Sequence, residues 1–221
     1  FGADPNITEL RGLLTLPSHA PHVYPALLHD IRVSSDEWDW AVISGMPIEP
    51  TYQSYLTQRF EHIARTHDIS DYVLALPSTW EELRTGLKRN VKESLRKCYN
   101  SLKRDGLQHE LVVVSTKEQI QPALEHFLRL HRARAALTGT VRHPNVFGAC
   151  EAQRFLTAVC KRMADRDSLR IFVLRIGGQI AAVRIGFVVG NSLYLYFSGY
   201  EPALAKYSVM TTATTEAIKY A

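Results

Sequence analysis

The sequence predicts an α/β (α+β) fold, with a mixed, largely antiparallel sheet flanked by helices. Two observations carry this. Residues 168–221 hold three apolar runs, Leu169–Ile176, Gln179–Val188 and Ser192–Gly199, joined through Gly177-Gly178 and Gly190-Asn191. Turns of this kind between β-branched and aromatic runs are hairpin signals. They predict a three-strand antiparallel meander, which feeds a helix from about Val209. Upstream, residues 39–76 read strand, helix, strand, the pattern of an α/β unit.

The bulk numbers set limits. The chain has 221 residues, enough for one or two domains with a hydrophobic core. Apolar residues make up 46% and charged residues 22%, as in an ordinary globular protein. No apolar run is long enough to predict a membrane span. The N-terminus, FGADPNITEL, has no basic region leading into an apolar segment. The chain lacks a starting Met and stops inside a helical pattern, so it reads as a piece of a longer protein, expected to be cytoplasmic. Cys98, Cys150 and Cys160 are too widely spaced for a disulfide framework or a zinc site. The net charge of +4 is too mild to indicate nucleic acid by itself.

In chain order, Tyr24–Ile31 predicts a short helix and Asp39–Ser44 a buried strand, ended by Gly45-Met46-Pro47. Thr51–Thr66 has helical spacing and Ile69–Leu76 reads as a strand closed by Pro77. Ser78 and Thr79 each have a Glu three residues on, the spacing of a capping box. Leu83, Leu87, Val91, Leu95, Cys98 and Leu102 then form an apolar stripe as far as Asp105-Gly106, with a break expected at Asn90. Glu110–Val114 reads as a strand. A helix from Lys117 turns Ile120, Leu124, Phe127, Leu128 and His131 inward. Residues 132–147 read as a basic loop holding Arg132, Arg134, Arg142 and His143. Glu151–Ala164 predicts a helix that buries Phe155, Leu156, Val159, Cys160 and Met163.

The search for chemistry finds no GxSxG, GxGxxG, P-loop or HExxH pattern. The nine histidines show no metal-like grouping, so no metal is expected. Anion contacts are the stronger signal. Eight basic residues lie between positions 84 and 104, and Arg84, Lys88, Lys92 and Arg96 follow one another four apart. This ridge either faces an anionic ligand or is a solubilising face. Arg134 lies in the basic loop. Arg184 interrupts the apolar strand 183–188 and either faces solvent or lines a groove beside Tyr194 or Tyr196. Those two tyrosines share one strand face, and Leu193, Leu195 and Phe197 the other. A tyrosine hydroxyl can protonate a leaving thiolate or hold a carbonyl, and His131 is the best-placed histidine for a general base. The exposed amides at the start of the last helix suit a phosphate or pyrophosphate, with Ser208 or Thr211 assisting.

Three stretches together resemble a known family. They are LPSTWEELRTGLKRNVKESLRKCYNSLKRDG (76–106), LRIFVLRIGGQIAAVRIGFVVGNSLYLYFSGYEPALAKYS (169–208) and TEAIKYA (215–221). They resemble the GNAT-like acyltransferase domain of the CelD/BioF2-like family of cellulose biosynthesis, which is similar in fold to the FemABX peptidyltransferases. The resemblance implies tandem GNAT-like modules: a partial one over residues 1–75 and an acyltransferase module over 76–221. It implies transfer of an acyl group from acyl-CoA (acetyl-CoA) to an amine or hydroxyl acceptor, a small molecule or envelope precursor, in envelope or polysaccharide assembly. The donor-binding residues it implies are Leu195, Tyr196, Phe197, Tyr207, Ser208, Val209, Met210 and Thr211. The catalytic candidates are His131, Tyr196 and Tyr200. Substrate or anion contacts fall to Lys88, Lys92, Arg96, Arg134 and Arg184. Alternatives are a catalytically degenerate binding domain or a transferase that uses aminoacyl-tRNA. The chain departs from the family pattern at two places. Ser208-Val209-Met210 stands where Ser-Pro-Gly or Ser-Val-Gly is usual, and Arg134-Ala135 where Arg-Trp is usual. Acceptor identity and oligomeric state are not encoded in any pattern found.

Overall fold

The computed structural model describes residues 15–42, 50–60, 62–63, 72–138 and 143–221. Contacts divide the chain into two units, Phe1–Leu74 and Ala75–Ala221.

In the first unit the described residues form two helices that pack on each other, α1 (Ala20–Val33) and α2 (Pro50–Arg59). Leu28 of α1 is fully buried. Helix α1 is longer at both ends than the expected Tyr24–Ile31, and Trp38 donates from its indole to the Ile31 carbonyl near its end. Helix α2 is shorter than Thr51–Thr66. Its last turn closes with the Phe60 amide on Leu56, and residues 62–63 are not helical. The two expected strands are corrected where they can be seen. Residues 39–42 form no strand, and Trp40 and Val42 are about four-fifths exposed, at 77% and 80%. Residues 72–76 form no strand, and Tyr72 and Val73 are almost wholly exposed. β-Branched and aromatic composition marks a chain that fits a pleated surface, but a strand also needs a neighbour to take its amides and carbonyls. Residues 43–44, 61, 64–66 and 69–71 of those expectations lie outside the described residues.

The second unit holds the sheet. Helix α3 (Trp80–Gly86) starts at Thr79, whose hydroxyl accepts the Glu82 amide at 3.2 Å. That is the cap the spacing predicts. The break before α4 (Arg89–Arg104) falls at Leu87-Lys88, both in extended conformation, and not at Asn90. Asn90 already lies in the first turn of α4. Cys98 and Leu102 are the buried members of its stripe.

Strand β1 (His109–Val114) leads to α5 (Lys117–Ala135), α6 (Cys150–Ala164) and then β2 (Leu169–Ile176), β3 (Gln179–Val189) and β4 (Ser192–Tyr200). The sheet is antiparallel throughout, in the order β1-β2-β3-β4. It is therefore a mixed α/β unit with a four-strand antiparallel sheet flanked by helices, as the sequence predicts. Helix α5 buries Ile120, Leu124, Phe127, Leu130 and His131, while Leu128 is only half-buried. It runs to Ala135, so Arg132 and Arg134 sit in its last turn, not in a loop. Cationic side chains suit that end of the helix dipole. In α6, Leu156 and Cys160 are buried, Val159 and Met163 are half-buried, and Phe155 is 54% exposed. Phe155 lies about 100° round the helix from Leu156, off the narrow buried stripe. A 3-10 turn, Pro202–Tyr207, joins β4 to the last helix, α7 (Val209–Tyr220). Leu102, Leu174, Ile176, Ala181, Ala182, Tyr207, Val209 and Ala213 form one core cluster that seats this turn and helix on the sheet.

Candidate active site

The candidate site is built round an irregularity in β4. Arg184 pairs with Ser198 and Gly186 with Leu195. One residue of β3, Ile185, therefore stands against two of β4, Tyr196 and Phe197. This is a bulge on the edge strand, a device that re-aims side chains. It breaks the simple alternation across Tyr196 and Phe197. Tyr196 packs against Phe187, with ring centroids 5.9 Å apart, and against Phe197 at 4.2 Å. Phe197 turns to Phe147 and His131. Gly186 beside the bulge is tightly enclosed: a Cβ there would meet Leu193, Phe172 and the Tyr194 carbonyl at 3.1–3.3 Å.

The last turns of α5 bring polar groups to β4. His131 is 7% exposed and sits among Phe127, Phe147 and Phe197. Its Nδ1 lies 3.1 Å from the Ser198 carbonyl, so that nitrogen carries the hydrogen and Nε2 the lone pair. Burial lowers its pKa, although the Ser198 and Pro144 carbonyls pull the other way, and the charge on Arg134 lowers it further. His131 is thus neutral at pH 7. Arg134, one turn on, donates from Nη1 to Ser198 Oγ at 3.0 Å and from Nη2 to His143 Nε2 at 2.7 Å. Its guanidinium stands 5.7 Å from the Tyr200 ring centroid. Burial, then the Arg134 charge, also lowers the His143 pKa.

Arg184 arrives from β3. Its Nη1 donates to Thr214 Oγ1 of α7 at 2.9 Å, and Thr214 in turn donates to the Met210 carbonyl. It therefore turns toward α7 and not to open solvent. Burial, then Arg134, lowers its pKa. No carboxylate bonds to Arg134 or Arg184 among the described residues. No Asp or Glu occurs from His126 to Cys150, so Arg134 has no acid nearby in sequence.

The start of α7 is the second part of the site. Ser208 takes the left-handed conformation, φ 53° and ψ 45°, and no side chain caps the helix. The Ser208 and Thr211 amides donate to the Ala205 and Ser208 carbonyls, each at 2.9 Å, which leaves those of Val209 and Met210 as the open donors of the first turn. Val209 is buried, Met210 half-buried and Thr211 exposed. Met210 packs against the core cluster, so its side chain turns inward. The conformation for which a glycine is usual is taken by Ser208. Tyr207 also turns inward, its hydroxyl donating to Asp105 Oδ2 at 2.8 Å.

The structure thus brings His131, Arg134, Arg184, Tyr196, Phe197 and Tyr200 to one region, with Leu195 opposite Gly186 at the bulge. Lys88, Lys92 and Arg96 belong to another group. Lys88 precedes α4, Lys92 donates to the Thr85 carbonyl at the end of α3, and Arg96 is exposed. The interruption at Leu87-Lys88 splits the four-residue ridge between two helices. Sequence reasoning missed Ser198, Thr214 and the partnership of His143 with Arg134. The acid-free stretch 126–150 was the available signal for an unneutralised cation.

Among the described residues no group of three or more His, Cys, Asp or Glu is placed to hold a metal, and no helix is long and apolar enough to cross a membrane. No curated protein matches the chain. A family model described as an acetyltransferase (GNAT) domain matches residues 89–221, from the first residue of α4 to the end of the chain. Acyl transfer, generally from acyl-CoA, is the chemistry of that domain, and the sheet and helices described above are consistent with its fold. The match covers more than half of the 221 residues, and the chain belongs to the acetyltransferase (GNAT) domain family.

Proposed function

We propose that this unit transfers an acyl group from acyl-CoA to an amine or hydroxyl of a small-molecule or envelope-precursor acceptor, in the cytoplasm, as in polysaccharide or envelope assembly. The observation that carries this reading is the bulge at Tyr196–Phe197, in the strand that leads through one 3-10 turn into the uncapped start of α7. The bulge turns backbone and the Tyr196 ring out of the regular ladder. The helix start offers amides and the positive end of the dipole to phosphate.

The residues fit CoA at this end of α7. The Val209 and Met210 amides would face its phosphates, with the Ser208 and Thr211 hydroxyls beside them, and Leu195, Tyr196 and Phe197 would flank the pantetheine arm. CoA, when bound, supplies an acyl group activated as a thioester. The chain's own part is positional and acid–base. Tyr196 or Tyr200 supplies a phenolic proton. Neutral His131 holds the Ser198 carbonyl through Nδ1, and its Nε2, buried and with no partner among the described residues, is the lone pair proposed to take the acceptor's proton. No nucleophilic Ser or Cys is required, because direct transfer needs only two substrates held together. The resemblance to the CelD/BioF2-like and FemABX families supports this reading. Residues 1–75 are proposed as part of a preceding GNAT-like module on the same resemblance alone.

Calorimetry with acetyl-CoA and with CoA tests the reading. Micromolar binding of both, weakened by Thr211→Glu at the helix start, is expected. A folded protein that binds neither excludes an acyl-CoA donor.

A further inference from the structure

Arg134 and Arg184 come from different elements, yet both converge on Ser198. Arg134 bonds to its hydroxyl, and Arg184 is its cross-strand partner. Facing residues of an antiparallel pair have Cβ atoms about 5 Å apart. Each guanidinium retains a fully buried Nε–H with no acceptor in the protein. Their other bonds go to neutral groups, Ser198 Oγ, His143 Nε2 and Thr214 Oγ1. Two half-buried like charges with unfilled donors and no carboxylate are an unbalanced arrangement. Arginine's planar fork is the geometry that receives carboxylate or phosphate oxygens.

We propose that Arg134 and Arg184 together form a receiving site for an oxyanion carried by the acceptor substrate, a carboxylate or a phosphate monoester. The inference rests on the acyltransferase reading for the word acceptor, but the oxyanion site itself does not. Neighbouring chemistry fits. The flanking histidines are kept neutral, so they add no charge of their own, and the site's positive charge is that of the two arginines. Tyr200 lies against Arg134 and Tyr196 lies at the adjoining bulge, so an acceptor anchored here by its oxyanion would place its nucleophile within the same region of β4.

The test is direct binding, read without turnover. The Arg Nε–Hε resonances of the protein are followed by NMR while malonate, inorganic phosphate or, as neutral control, malonamide is added. The expected result is that malonate or phosphate shifts the Arg134 and Arg184 signals with millimolar affinity and malonamide does not. Whichever anion binds more tightly identifies the carboxylate or the phosphate source. Arg184→Gln should weaken binding at least tenfold. Arg184→Lys, which keeps the charge but not the fork, should weaken it several-fold, and it serves if the Gln variant fails to fold. Arg162→Gln on α6 should leave binding unchanged. Anion binding that is equal in the Arg184 variants and the wild type, or no shift with either anion, overturns the proposal. Repeating the titration with CoA present separates the two readings. Simultaneous binding supports an acceptor site, and displacement by CoA assigns the arginines to the donor and overturns it. Anion binding without any CoA binding removes the acyl-CoA reading and leaves the oxyanion site standing.

Discussion

Gly199 of β4 lies directly beneath His131 of α5: a Cβ at position 199 would fall 2.4 Å from the His131 backbone nitrogen and 2.7 Å from the Leu130 carbonyl carbon. Backbone cannot yield as a flexible side chain does. Gly199→Ala must push α5 away from the sheet, and with it His131 and Arg134. The expected cost is at least ~2 kcal/mol, measured as a lower urea midpoint. A variant as stable as the wild type would contradict this seating of the helix.

Ser208 makes the opposite prediction. A left-handed conformation costs an L-residue about 1–2 kcal/mol, and glycine is free of that cost. Ser208→Gly should be neutral or stabilising by up to ~1 kcal/mol, with acyl-CoA binding retained. Ser208→Val, β-branched in the same conformation, should destabilise. Equal urea midpoints for the two variants would show that position 208 does not hold the left-handed turn.

A polar network locks α7 to α4 and β1. Tyr99 donates to Glu216 Oε1 at 2.5 Å, Lys219 donates to the same oxygen at 2.8 Å, and His109 Nε2 lies 3.5 Å from it. Burial raises the Glu216 pKa, but bonds from Lys219 and Tyr99 outweigh it and the net direction is down. Burial, then Glu216, raises the Tyr99 pKa, so Tyr99 remains a donor. Tyr99→Phe should cost about 1.5–3 kcal/mol, the range for a hydrogen bond to a charged group. A carboxylate with a depressed folded pKa contributes stability above its unfolded value of about 4.3 that is lost as pH falls through the folded value. Glu216→Gln should therefore flatten the acid limb of a melting-temperature profile. An unchanged acid limb would show that the network is not coupled to folding.

The two site histidines give a second, higher window. Burial, the first cause for each, lowers the pKa of both His131 and His143 in the folded state. The unfolded chain then binds protons that the folded one refuses, and stability rises with pH. The melting temperature should fall as pH drops below about 6.5, the ordinary histidine value. His143→Gln should reduce that fall. It also removes an acceptor that Arg134 uses, so it should release Arg134 Nη2 in the NMR spectrum. A profile flat between pH 7 and 5 would contradict a neutral His131 and His143.

For turnover, Tyr196→Phe and Tyr200→Phe discriminate the phenolic proton source. The active one should lose about a hundredfold in kcat, the order of general acid catalysis, with CoA affinity retained. Loss of less than threefold in both would remove tyrosine from the acid role.

The meander was legible almost residue by residue, because each strand is joined to the next by a two-residue turn with its own chemistry. Leu169–Ile176 matches its expected limits. Helices α4, α5 and α6 were also readable, since a one-sided apolar stripe is a property of the segment itself. What failed depended on partners elsewhere. Val42 and Val73 have strand-forming side chains and no ladder among the described residues. The sequence from Arg132 reads as a loop because nothing local shows that α5 continues past His131 along β4. The bulge was invisible for the same reason: it is a mismatch between two strands, and neither Ile185 nor Tyr196 reveals it alone. The pairing of Arg184 with Arg134 through Ser198 is a three-element relationship, and only the absence of acids from 126 to 150 hinted at it.

The order of the strands has a consequence for how this unit assembles. Pairings β2–β3 and β3–β4 close through turns of two residues, whereas β1 meets β2 only after both α5 and α6 have been traversed, from Val114 to Leu169. Local pairings lose little loop entropy and distant ones lose more. The meander, with its bulge, should therefore form early, and β1 should dock late as the lid of an already built sheet. Pulsed hydrogen exchange during refolding should protect the amides of Phe172 and Val183, which face β3 and β4, before that of Val112, which faces β2. The irregular strand would then be in place before the last edge of the sheet is sealed.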